Sequence, residues 1–168
     1  MNGRRHRFRR GTRKNNPEVQ TMIKRYANGA LAYAIVAMAG GVFYREFTRF
    51  SGFDGETTLS VLHTHYFLLG MFLFLLLALL EKAFSFSGEK RMPLLLYHVG
   101  LNITGLGLLL RGLAQVGGAA LSRGMDAALS GLAGLGHILL GVGLVLLLAR
   151  VQTCAAGQAR HRGNAPHA

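Results

Sequence analysis

The chain has 168 residues and a formal net charge of +12, with 51% hydrophobic and only 15% charged residues, where a soluble domain carries roughly 25% charged residues. A single cysteine, Cys154, excludes an internal disulfide framework and any zinc site that needs several thiolates. Secreted disulfide-rich and intrinsically disordered classes are excluded as well, and the length suits one domain.

Residues 1–25 carry nine of the nineteen basic side chains, against one acid, Glu18. Such a segment is expected to be disordered or to lie on an anionic surface. The run Met22-Ile23-Lys24-Arg25 before an apolar stretch resembles a bacterial start, so residues 1–21 read either as a working arm or as an upstream extension. Four apolar stretches follow, at 26–44, 58–80, 93–113 and 127–149, and a second basic tail occupies 151–168. A membrane-spanning helix needs about 20 apolar residues, and only a helix satisfies its own backbone in lipid. Pro93 suits a first helical turn, where its missing N–H does no harm. The first stretch is too long for a cleaved signal peptide, and no soluble domain follows it. The predicted fold is all-α: an integral membrane four-helix bundle over 26–150, running up-down-up-down.

Charge sets the expected orientation. With the N-terminus inside, the inner segments hold fifteen basic and three acidic residues, and the outer ones hold four of each. The positive-inside rule then puts both termini in the cytoplasm of a bacterial cell, with the chain in the inner membrane. Topology accounts for the basic excess, so nucleic acid is not an expected partner; the lipid bilayer is. Tyr26, Tyr44 and Tyr97 near span ends suit the membrane interface.

Each span has one face richer in small or polar groups: Tyr33, Ala37 and Gly40 on the first; His63, Tyr66 and Gly70 on the second; His98, Asn102 and Gly105 on the third; Ser130, Gly134, His137 and Gly141 on the fourth. These faces are expected to point inward, since small residues let helix backbones approach and polar groups avoid lipid. The histidines carry the chemistry. His6, His161 and His167 lie in the tails, but His63, His65, His98 and His137 lie within spans, where an ionisable group is a functional candidate. The plainer reading is a neutral ring bonded to a neighbouring carbonyl.

His63 and His65 sit about 200° apart on a regular helix, so they do not share one ion. His63, with Tyr66 and Gly70 on its face, is taken as the inward group. By axial rise, His63 lies roughly 7 Å and His137 roughly 10–15 Å from the outer boundary, while His98 lies about 22 Å from it. His63 and His137 are therefore the expected axial pair for a b-type haem, with Gly70, Gly134 and Gly141 giving room. Arg45 and Arg111, with Arg49, would neutralise propionates. His65 and His98 are secondary metal-ligand candidates. No CxxCH motif occurs, so covalent attachment is excluded, and no span holds a carboxylate or thiolate to complete a copper or zinc site. There is likewise no P-loop, GxSxG or HExxH. Glu81 and Arg111, at span ends, are expected to snorkel.

The segments Gly41-Val42-Phe43-Tyr44-Arg45-Glu46-Phe47-Thr48, Leu59-Ser60-Val61-Leu62-His63-Thr64-His65 and Gly134-Leu135-Gly136-His137-Ile138-Leu139-Leu140-Gly141 resemble a family of small bacterial four-span proteins known only as a domain of unknown function. The resemblance covers Met22 to Ala149 and implies membrane residence and four helices. The Leu62-His63-Thr64 turn is also distantly similar to the low-spin haem ligand region of the haem–copper oxidase catalytic subunit. There a second-span and a later-span histidine share one haem, with His63 and His137 as the matching positions. Nothing here resembles that superfamily's copper-site histidines, so oxygen reduction is not implied.

The expected function is b-haem binding for electron transfer or redox or gas sensing, with a redox partner or a second copy of the chain as partner. The alternative is a non-catalytic membrane accessory or packing protein with structural histidines and no cofactor. A third reading is a metal or small-molecule conduit lined by His63, Tyr66, His98 and Asn102.

Overall fold

The computed structural model describes residues 16–87 and 92–163. Among them are four helices long and apolar enough to cross a membrane and no strand. We label them α1 (Pro17–Phe50), α2 (Leu59–Phe84), α3 (Met92–Val116) and α4 (Arg123–Gly163). The expected tail residues 1–15 and 164–168, with His6, His167 and the His161 side chain, lie outside the described residues.

The helices outrun the expected spans. α1 begins at Pro17 because Asn16 caps it, its side chain accepting the Glu18 N–H at 3.0 Å. Proline at the first position and an acid in the first turn both favour that start. Residues 17–25, expected in the tail, are thus helical, as are 151–163 at the other end. α1 ends in a turn through Gly52, and α3 in one through Gly118, both at positive φ (59° and 62°) where a Cβ would be strained.

Successive helices run antiparallel. Tyr97, Gly100, Thr104 and Gly107 of α3 meet Gly143, Leu140, Gly136 and Ala133 of α4 in turn. A Cβ at Gly136 would lie 2.6 Å from the Thr104 backbone nitrogen, and one at Gly143 2.6 Å from that of Tyr97. Without a hydrophobic force between helices in lipid, such close approach supplies the packing. α3 also packs on α2, where Leu59 sits against Gly112 and Tyr66 against Gly105. α1 packs chiefly on α2, with Tyr33 against Gly70 and Phe74 against Gly29. α1 and α4 therefore flank the central α2–α3 pair on different sides and share no substantial contact. Large apolar side chains such as Leu31, Val42, Leu79, Ile138 and Val145 stay exposed along the spans, as a lipid-facing surface requires.

One departure from regularity matters. Tyr66–Phe72, in the middle of α2, is a π-helix, in which the Leu73 N–H reaches back to the Leu68 carbonyl. The wide turn leaves the Leu69 carbonyl to accept the Tyr97 hydroxyl at 2.7 Å.

Candidate functional site

His65 closes the regular turn just before the π segment. It and His63 point different ways, as their two-residue spacing requires. His63 turns toward α1, its side chain within 4.0 Å of where a Cβ at Gly40 or Gly41 would sit, and Phe67 stands edge-on to its ring. Its Nδ1 is buried without a hydrogen-bond partner among the described residues.

His65 turns to α4 instead. Its ring centroid lies 6.3 Å from that of His137, with the ring planes at 89°. The structure therefore brings together His65 and His137, whereas the expected inward group, His63, is taken up by α1. Each of the paired rings is fastened the same way. Nδ1 of His65 is 2.8 Å from the Val61 carbonyl, and Nδ1 of His137 is 2.8 Å from the Ala133 carbonyl. A carbonyl only accepts, so each Nδ1 carries the hydrogen and each Nε2 keeps its lone pair. Neither Nε2 has a hydrogen-bond partner among the described residues. A second interaction that fixes tautomer and ring orientation is typical of metal-ligating histidines.

The surroundings sort the remaining candidates. Gly134 and Gly141 lie one turn to either side of His137, and nothing stands within 4 Å of a Cβ built at either. The α4 face Ser130-Gly134-His137-Gly141 is exposed, so it does not point into the α3–α4 contact as expected. Gly136 and Gly143, two positions on in each case, hold that contact. This leaves His137 beside open space on the flank facing α2. Gly70 provides no such room: a Cβ there would sit 2.7 Å from Tyr33 Cβ, so it serves the α1–α2 contact. Arg45 is largely exposed on α1, 3.8 Å from Glu46, on a helix that does not border the His65–His137 pair. Arg111 lies at the end of the relevant flank. It does not snorkel freely: it donates to Asp126 Oδ1 at 2.9 Å and to Ser130 Oγ at 2.8 Å.

His98 belongs to a different constellation. Its Nδ1 is 2.6 Å from the Tyr33 hydroxyl, and its ring packs 4.7 Å from Phe74. Asn102 donates to Tyr33 at 3.1 Å and to the His98 carbonyl at 2.8 Å, and it accepts from Tyr66 at 3.5 Å. Three of the four expected conduit residues are thus joined in one cluster, His98 and Asn102 through Tyr33 and Tyr66 through Asn102, and His63 stands outside it.

A further polar cluster is not apparent from sequence. Glu81 is only 2% exposed and accepts from both the backbone and the hydroxyl of Ser87, at 3.0 and 2.7 Å. The Ser87 hydroxyl meets Tyr26 at 2.7 Å, and Arg150 donates to the Ser87 carbonyl at 3.2 Å. Expected to snorkel, Glu81 is instead enclosed. Ser85 takes a left-handed conformation (φ 50°) that turns the chain back over the end of α2. The only sequence signal was a pair of serines, Ser85 and Ser87, four and six residues after the Glu81 carboxylate.

No curated protein and no solved structure matches this chain. A family model described as a protein of unknown function, DUF2871, matches residues 23–154, which include all four spans and the histidine pair. The chain belongs to the DUF2871 family.

Proposed function

We propose that the chain is a b-type haem protein of the bacterial cytoplasmic membrane, serving electron transfer or redox or gas sensing, in which His65 and His137 would hold the haem iron. The observation that carries this reading is the 6.3 Å separation of the two imidazole rings. With metal–imidazole bonds of about 2.0–2.1 Å, rings at this separation are close enough for both to hold one metal ion. The donor set agrees. Among the described residues no group of three or more His, Cys, Asp or Glu could hold a metal ion. Iron that already carries four macrocycle nitrogens needs only two side chains.

When bound, the haem supplies a one-electron iron couple. The chain's own residues do the rest. Val61 and Ala133 carbonyls hold the two rings in the tautomer that presents Nε2. Gly134 and Gly141 leave space for a flat group against α4. Arg111, two turns from His137 through Ser130, offers a cation to carboxylates at about 10 Å along the helix axis. The likeness to the haem–copper oxidase turn gave weight to His63; the ring geometry favours its neighbour two residues on. Fifteen basic residues on one side of the bilayer and four on the other support cytoplasmic termini.

The test is the visible spectrum of protein purified after expression with haem supply. A Soret band is expected in the parent and in His63→Ala, and is lost or shifted in His65→Ala and His137→Ala. A parent without the band, or His65→Ala and His137→Ala both with unchanged spectra, would overturn the proposal and leave the histidines structural.

A further inference from the structure

The His65 ring has little freedom of its own. Its Nδ1 is held at 2.8 Å by the Val61 carbonyl of the same helix, so the direction of the ring follows the α2 backbone. The π segment begins at Tyr66, directly after it. In a regular helix the Leu73 N–H would go to the carbonyl four residues back, that of Leu69. Here it goes to the Leu68 and Gly70 carbonyls instead, and the Leu69 carbonyl accepts the Tyr97 hydroxyl at 2.7 Å.

Tyr97 also ties that turn to the helix carrying the other ring. It is fully buried, and its ring packs 6.1 Å from that of Phe74 on α2. Its backbone lies against α4, where a Cβ at Gly143 would come within 2.6 Å of its nitrogen. One residue of α3 thus connects the wide turn of α2 to the stretch of α4 six residues after His137. We propose that the Tyr97 hydroxyl holds the wide turn in place and thereby aims His65 at His137. Tyr97 is then a positioning residue that acts through the Leu69 carbonyl. The extra residue of a π turn cannot vanish from a helix of fixed length, but it can move along it. Without the hydroxyl the Leu69 carbonyl loses its donor, which is unfavourable for a buried group, and it regains one by taking the Leu73 N–H. The wide turn then shifts toward His65, and once past it the ring is rotated by about 100°. This inference rests on the His65–His137 pairing of the proposed function, and not on what the pair holds.

The full chain with isotope-labelled histidine, in nanodiscs and without haem, is read by solid-state NMR for a cross peak between the His65 and His137 rings, assigned with His65→Ala and His137→Ala. The cross peak is expected in the parent and in Tyr26→Phe, which loses a different hydroxyl bond, to Ser87 at 2.7 Å. It is expected to be lost in Tyr97→Phe. A hydroxyl that only added stability would leave the peak in both variants. Unfolding midpoints in detergent give a second reading. Tyr97→Phe is expected to lower the midpoint of the parent but not that of a chain with Leu68 deleted, which has no extra residue for the hydroxyl to hold. A cross peak retained in Tyr97→Phe, or an equal lowering with and without Leu68, would overturn the proposal. A parent without the cross peak would overturn it together with the His65–His137 site. A parent with the cross peak but no Soret band would overturn the haem reading alone and leave this proposal supported.

Discussion

At the scale of single residues, hydrogen-bond accounting separates the structural polar groups from the available ones. Glu81 is enclosed, and Ser87 provides two of its partners. Replacing that serine leaves both a carboxylate oxygen and the Tyr26 hydroxyl short of a bond. Ser87→Ala is expected to cost about 1–3 kcal/mol, read as a lowered unfolding midpoint in detergent, without loss of any Soret band. His63 is the opposite case. Its buried Nδ1 has no hydrogen-bond partner among the described residues, so a shape-matched apolar ring costs little there. His63→Phe is expected to change stability by less than about 1 kcal/mol, measured in the same unfolding assay. A large loss would show that the ring has a partner after all. Which of the two α2 histidines meets α4 was not legible in the sequence. Their spacing shows only that they diverge, and the choice depends on which side of α2 each neighbouring helix takes.

At the scale of elements, the number, nature and approximate extent of the helices were legible from apolar length alone. Their rotation about their own axes was not. α4 carries two glycine pairs at seven-residue spacing, Gly134 with Gly141 and Gly136 with Gly143. A seven-residue repeat keeps a face, and a two-residue offset moves it by about 200°, so the pattern gives two equivalent phases. The close packing against Thr104 and Tyr97 selects Gly136 and Gly143. Substitutions separate the two sets. Gly143→Ala drives a methyl into the Tyr97 backbone and is expected to cost about 2 kcal/mol or more, seen as lost folded yield. At Gly134 an added Cβ meets no described residue within 4 Å, so Gly134→Leu starts into open space. It is expected to fold normally, yet bind haem with clearly reduced stoichiometry, by filling the space beside His137. Folding with full haem content would remove Gly134 from the proposed site.

At the scale of the whole molecule, the arrangement is two outer helices on a central pair, and the exposed apolar belt gives the chain its solvent. In the sequence, fifteen of the nineteen basic residues fall in 1–25, 81–92 and 150–168. Fusing a reporter that works only in the cytoplasm to the C-terminus is expected to give activity, and a periplasm-dependent one none. The reverse would invert the molecule and place the histidine pair nearer the cytoplasm. Sequence counting was sufficient for this prediction because it needs only the charge on each connection, whereas the helix rotations depend on contacts between residues far apart in the chain.

The widened turn at Tyr66–Phe72 acts as an angular offset built into α2. Everything ahead of it, His63 and His65 included, is dialled by one residue's worth of rotation, about 100°, relative to the half that follows. Deleting Leu68 would let the turn close to ordinary pitch while Leu73–Phe84 keeps its seat against α1 and α3. Such a protein is expected to retain its helical circular dichroism and lose its pigment, because the ring now opposite His137 would be swung off its bearing. In the proposed haem site, a single-residue insertion would thereby set the aim of His65.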